Sequence, residues 1–160
     1  VHFDSHRGLD HGVWSVLQPM FPEADIPVVP LSLSILQPGA WHYDFAQQLA
    51  PLRDEGVLVV GTGNIVHNLR YWRQGQTEPL DWAQRFDEDI AERIAEGHHE
   101  GMLGYETLGP DALMAIPSPE HYLPLLYVLA LQRDEDPVEF FNEDVVGPIS
   151  MRSVIIGKLD

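Results

Sequence analysis

The chain has no cysteine, which excludes disulfides and thiolate ligands, so any metal it holds must be bound by His, Asp or Glu. Basic residues are scarce: 9 Lys and Arg stand against 25 Asp and Glu, for a formal net charge of −16. That balance repels phosphate backbones and anionic lipid surfaces, so neither nucleic acid nor a membrane is an expected partner. No apolar run approaches the length of a bilayer span, and no charged-then-apolar leader precedes the first motif. With the missing cysteine, this reads as a cytoplasmic protein. The Gly-x-Ser-x-Gly elbow is also absent, and Gly61-Thr62-Gly63 is too short for either phosphate-loop pattern. What is present is enough for a globule: 160 residues, 44% of them hydrophobic and 9% aromatic, support one domain with a sizeable core.

The pattern is organised around Val57-Leu58-Val59-Val60, a continuous aliphatic run that reads as a strand covered on both faces. Gly61 and Gly63 are expected to let the backbone leave the sheet at angles that other residues resist, carrying His67 to the carboxyl end of the strand, where open α/β sheets bind ligands. Val28 to Ile35 is a second strand candidate, with Pro30 at an edge or bulge. Between the two lies a helix from about Trp41 to Arg53 that Pro51 kinks or ends early. Strand, helix, strand is the unit of a parallel sheet, so the expected class is α/β, with a central, mostly parallel sheet flanked by helices in a single domain, 1–160.

Four further helices follow from spacing and caps. Asp10 caps a short one from His11 that Pro19 ends, with Val13, Trp14, Val16 and Leu17 available for burial. One from about Leu80 to Glu96 carries Asp81 and Gln84 as a capping box, packs Trp82, Phe86, Ile90 and Ile94 inward, and turns Asp87 and its acidic neighbours outward. After a short helix over Asp111 to Ile116, Ser118 and Pro119 open a nearly all-apolar helix to about Gln132 with His121 in its first turn, where Pro124 disturbs the backbone. The tail offers strands at Val138 to Phe141 and about Ser150 to Ile156.

His11, His67 and His121 each stand beside a glycine, a proline or a strand end. Histidines from separate elements that converge at one sheet edge serve a mononuclear metal site or an acid/base pair, although spacing alone favours structural histidines hydrogen-bonded in the core. His98 and His99, in a Gly-flanked loop, read as plain surface residues. Tyr71, Trp72 and Tyr105 read as core aromatics before they read as a stacking platform for a ring.

A resemblance adds weight to the first alternative. Gly8-Leu9-Asp10-His11-Gly12-Val13-Trp14, the segment Gly61 to Arg70 with Asn64, His67, Asn68 and Leu69, the run Pro117-Ser118-Pro119-Glu120-His121-Tyr122-Leu123-Pro124-Leu125 and the tail Ser150-Met151-Arg152-Ser153 together resemble the class III extradiol ring-cleavage dioxygenases (LigB-like). The likeness is to the branch similar to 4,5-DOPA extradiol dioxygenase. It implies an α/β fold and an oxidoreductase that inserts both atoms of O2 to open a catechol, DOPA-like ring beside its hydroxyls. It also implies a non-haem Fe(II), or Zn(II) in the same position, as cofactor. By motif, His121 resembles a metal ligand, His67 the histidine that acts as base on the catechol hydroxyl and approaches the metal closely, and His11 a second histidine that orients substrate or handles protons. The implied partners are a small catechol and O2.

One departure qualifies the match. Relatives carry two more metal-ligand histidines in an amino-terminal portion, and His2 and His6 do not match those motifs. The chain, which starts at Val1, therefore reads as the carboxyl-terminal portion of the catalytic domain. It is expected to bind iron weakly, to lack ring-cleaving activity alone, and to self-associate or associate with the missing portion. The alternatives are a non-catalytic metal-binding or partner-binding protein on the same fold, and a zinc hydrolase using Glu120 to activate water.

Overall fold

A computed structural model describes residue 4 and residues 6–157; His2, weighed above as a ligand, lies outside the described residues. The chain divides into two compact units, one ending at Leu33 and one beginning at Ser34.

The first unit is built on α1 (His11–Met20). Asp10 caps it as its sequence position requires: the residue is extended and its carboxylate accepts the Val13 amide at 3.2 Å, satisfying one of the unpaired donors of the first turn. Pro19 lies inside the last turn rather than beyond it. The expected burial of Val13, Trp14, Val16 and Leu17 is not found; no residue of α1 is buried and Trp14 is 48% exposed, because so short a unit has little surface of its own to cover an apolar stripe. The strand expected from Val28 is also absent among the described residues: this part of the chain forms no ladder, and Val29 is 81% exposed. Pro27 and Pro30 remove two of the donors that a ladder would need.

The second unit carries α2 (Gly39–Gln47), α3 (Pro51–Asp54), α4 (Asp81–Ala95), α5 (Glu100–Leu103), α6 (Pro110–Ala115) and α7 (Leu123–Leu129), then β1 (Val138–Phe141), β2 (Val145–Val146), β3 (Ile149–Ser150) and β4 (Ser153–Ile156). The helix expected over 41–53 breaks before Pro51, as that proline's missing donor demands. α2 packs on α7, and α4 packs on α6. Ile90, Ile94, Met102, Tyr122, Leu126 and Leu129 are fully buried between these elements. α2 contributes a polar core residue that its sequence did not announce: His42 is wholly buried, with Nδ1 2.9 Å from the Tyr127 hydroxyl and Nε2 2.9 Å from the Ser34 carbonyl.

α4 follows its apolar period, burying Ala83, Phe86, Ile90 and Ile94, but departs from expectation twice. Leu80 occupies the cap position, Asp81 is the first helical residue, and no side-chain cap bond forms; Gln84 reaches forward to Glu88 instead, at 2.9 Å. Asp87, expected to face outward, is 1% exposed. It is accommodated inside because Arg152 and Ser150 meet it there.

The expected central strand is corrected as well. Val57 to Val60 forms no ladder among the described residues, and Val57, Leu58 and Val60 are 45%, 61% and 44% exposed. An aliphatic run signals a covered strand only when neighbouring strands are there to cover it, and the sheets described are two antiparallel ladders, β1 with β4 and β2 with β3, with no parallel pair. The fold described is thus mainly helical with small antiparallel sheets. The tail strands match expectation, with Val138 opposite Ile156 and Phe141 opposite Ser153. The segment between them adds the β2–β3 hairpin around Gly147, whose φ of 56° suits a residue without Cβ.

Candidate active site

Residues 63–68 run beside the aliphatic segment and are pinned from three directions. The His67 amide donates to the Ala115 carbonyl at 2.9 Å, and the Asn68 side-chain amide donates to Met114 at 2.6 Å, both at the end of α6. Val66 accepts the Ser150 amide at 3.0 Å, the Asn68 amide donates to Pro148 at 3.2 Å, and His67 bridges to Ile149, all at β3 and its turn. On the third side, the Asn64 amide donates to the His121 carbonyl at 2.9 Å. That carbonyl is free because the apolar helix does not run continuously from Pro119: a 3-10 turn, Pro119–His121, precedes α7, which restarts at Leu123 with Pro124 in its first turn.

The two glycines act through space rather than through angle. Neither Gly61 nor Gly63 has a positive φ. A Cβ on Gly63 would lie 2.1 Å from the His121 carbonyl oxygen, and one on Gly61 would lie 2.7 Å from that of Pro124. Only glycine permits this approach, and the approach lays the rings of His67 and His121 together: their centroids are 3.6 Å apart with planes inclined by 16°.

Two protonated imidazoles in that arrangement would repel each other strongly. Burial, and then the neighbouring His121, hold the His67 imidazole below its usual range, against the opposing pull of Glu120. His67 is therefore neutral at physiological pH and free to accept a proton or to donate a lone pair. Beside it, burial pushes the Glu120 carboxyl up, but a backbone amide, the Ser118 hydroxyl at 2.8 Å and the two histidines outweigh it and leave the group below its ordinary value. Glu120 is an anion at the edge of the pair.

His11, the third candidate, opens α1 in the first unit, with its ring edge-on to Trp14 at 5.4 Å. His98 is exposed, as expected, whereas His99 is half-buried with Nδ1 3.1 Å from the Tyr43 hydroxyl. Of the aromatics, Tyr105 is in the core beside Tyr122, while Tyr71 and Trp72 are 46% and 44% exposed. Sequence reading overlooked Asp87 as a support of this region. The signal that could have revealed it is a lone cation, Arg152, set in the apolar tail between β3 and β4 and in need of a buried counter-charge.

The donor chemistry fits a divalent metal in part. Imidazole is a suitable ligand for iron or zinc, and the neutral state of His67 is the ligating one. Among the described residues, however, no three His, Asp or Glu side chains converge as a ligand set.

Residues 1–150 match the family profile described as the catalytic LigB subunit of aromatic ring-opening dioxygenase. The chain belongs to the LigB family of class III extradiol dioxygenases. It is similar to the Escherichia coli K12 protein named 4,5-DOPA dioxygenase extradiol, with 41% identity over 94% of this chain and 57% of the relative. The Beta vulgaris protein of the same name is 38% identical over 93% of this chain and 56% of its own length. The crystal structure of an uncharacterized Escherichia coli K12 protein, JW3007, superposes with a TM-score of 0.83 at 40% identity, covering 92% of this chain and 62% of that one. This LigB-family chain thus spans somewhat more than half the length of these three relatives.

Proposed function

We propose that the chain is the carboxyl-terminal portion, 1–160, of an extradiol dioxygenase domain in which His67 and His121 form part of the site that opens a catechol ring. In the complete domain this portion joins a central, mostly parallel sheet. What carries the reading is the His67–His121 pair, two imidazoles brought to 3.6 Å by motif segments far apart in sequence, in a chain that belongs to a ring-opening family.

His121 would hold the metal, Fe(II) or Zn(II), with His67 as a further ligand only while its single lone pair is not taken up by a proton, and with the remaining ligands coming from outside the described residues. When bound, the ion would lower the pKa of a catechol hydroxyl and offer open coordination positions. The chain's own contribution is acid–base and positional. Neutral His67 takes the proton from the catechol hydroxyl onto a ring nitrogen, which its lowered titration leaves unprotonated and available. His121 is held in place by the Asn64 bond to its carbonyl, and Glu120 balances the positive charge that His67 acquires. His11 orients substrate or relays the proton. The overall reaction adds both atoms of O2 to the diol as the ring opens.

The test is catechol-dependent oxygen uptake with added Fe(II), run beside a zinc titration. The chain alone is expected to bind zinc weakly and show no turnover, and turnover is expected when the rest of the family's length is supplied. In that active protein, His67→Ala should abolish uptake while metal binding survives if the side chain is only a base, whereas His121→Ala should remove both. Unchanged zinc binding in His121→Ala, or uptake that survives in His67→Ala, would refute the proposed assignments.

A further inference from the structure

The most deeply buried charge in the second unit is Asp87 on α4, whose side chain is 1% exposed, facing an Arg152 side chain that is 10% exposed. The guanidinium donates twice to one carboxylate oxygen, from Nε at 2.9 Å and from a terminal nitrogen at 2.8 Å. Its other terminal nitrogen meets Glu143, and its face lies 5.4 Å from the Phe140 ring. Arg152 borders an open cleft of about 360 Å³, but with both sides of its fork engaged by carboxylates it is not offered to an anionic ligand.

The other Asp87 oxygen accepts the Ser150 hydroxyl at 2.5 Å. That hydroxyl also accepts the Arg152 amide at 3.1 Å, closing the tail into a tight turn around the carboxylate. Ser150 is itself wholly buried, and its main chain is one point from which both histidine segments are held. Its amide donates to Val66, next to His67, and its carbonyl accepts the Asn64 side chain at 2.8 Å, while the Asn64 amide holds the His121 carbonyl.

We infer that Asp87 is a positioning residue for the imidazole pair: with Arg152 it fixes the Ser150 turn, and that turn sets the separation of the rings of His67 and His121. The helix carrying Asp87 holds neither histidine, and the connection to the two histidine segments runs through four hydrogen bonds whose partners are all specified. A buried network of this kind is geometrically exacting because each polar group that loses its partner is left unpaired away from water. Its relevance to ring opening rests on the proposed function, but the ring geometry itself does not.

The experiment is NMR of the 160-residue chain with labelled histidines, reading the cross-peak between the ring protons of His67 and His121, with the circular dichroism spectrum and melting curve as checks of folding. Asp87→Asn and Ser150→Ala are expected to fold and to lose the cross-peak severalfold. Asp136→Asn, which breaks the ion pair with Arg53 elsewhere in the unit, is expected to keep it. Because Asp87→Asn strands a buried guanidinium, a chain so changed that fails to fold leaves the decision to Ser150→Ala, which removes only the hydroxyl link. An undiminished cross-peak in folded Ser150→Ala, or an equal loss in Asp136→Asn, would overturn the inference. The readout uses no metal, catechol or oxygen, so it stands or falls apart from the reaction proposed above.

Discussion

At the scale of single residues, the site depends on atoms that are missing. Gly63 has no Cβ, and one would meet the His121 carbonyl oxygen at 2.1 Å; backbone cannot give way as a flexible side chain can. Gly63→Ala is therefore expected to cost about 1–3 kcal/mol, the usual range for forcing atoms into a packed region, and to separate the two imidazoles. Gly61→Ala, with its contact at 2.7 Å, should cost less. Urea unfolding checks the order: the midpoint should fall more for Gly63→Ala than for Gly61→Ala, at an unchanged slope. The glycines were legible in the sequence as special positions, but the reason was not. A turn glycine and a close-approach glycine look alike in a string of letters, and only the second depends on a segment some 60 residues away.

At the scale of elements, the junctions are held by ion pairs that a sequence cannot match up. Arg53 on α3 binds Asp136, in the turn before β1, with both of its terminal nitrogens, at 2.5 and 3.1 Å, and Asp136 also accepts the Arg133 amide at 2.8 Å. The Arg53 hydrogen bond leads the effects that hold the Asp136 carboxyl below its ordinary value. A carboxyl with a depressed folded-state pKa stabilises the fold above its unfolded value, about 3.9, and loses that contribution as the pH falls through the folded value. Asp136→Asn should thus melt below the parent chain at pH 7, and the gap between their melting curves should close as both are acidified below about pH 3.9. A gap that persisted at low pH would point to packing, not charge. Most helices were readable because they carry their own period and punctuation: Asp10 before α1, the four-residue spacing of α4, and Pro51 at the start of α3. Asp87 was misplaced because local spacing puts a carboxylate on the solvent side until a buried partner is known.

At the scale of the whole molecule, what matters is what the described residues leave uncovered. Val57, Leu58 and Val60 have the composition of a buried strand and are about half exposed. Apolar surface of this kind promotes association. Concentration-dependent light scattering by the chain is expected to fall on Leu58→Asp with little change in melting temperature, since the residue is 61% exposed and its loss opens no cavity. The chain also covers only 57% of its Escherichia coli relative, which is why ring opening is proposed only for a protein of the relatives' full length.

By itself the sequence determined the family, through four motif blocks in order, and most of the helices, because amphipathic period and proline placement act over a few neighbouring residues. It also singled out His11 as a candidate for one site together with the pair His67 and His121. Tertiary structure alone decided that their rings stack at 3.6 Å, that Asp87 lies inside, and that the Val57–Val60 run finds no strand partner among the described residues. Those outcomes depend on which distant segments meet: whether a charge is paired or a strand is covered is a property of contacts, and contacts between remote residues leave no local pattern in the chain.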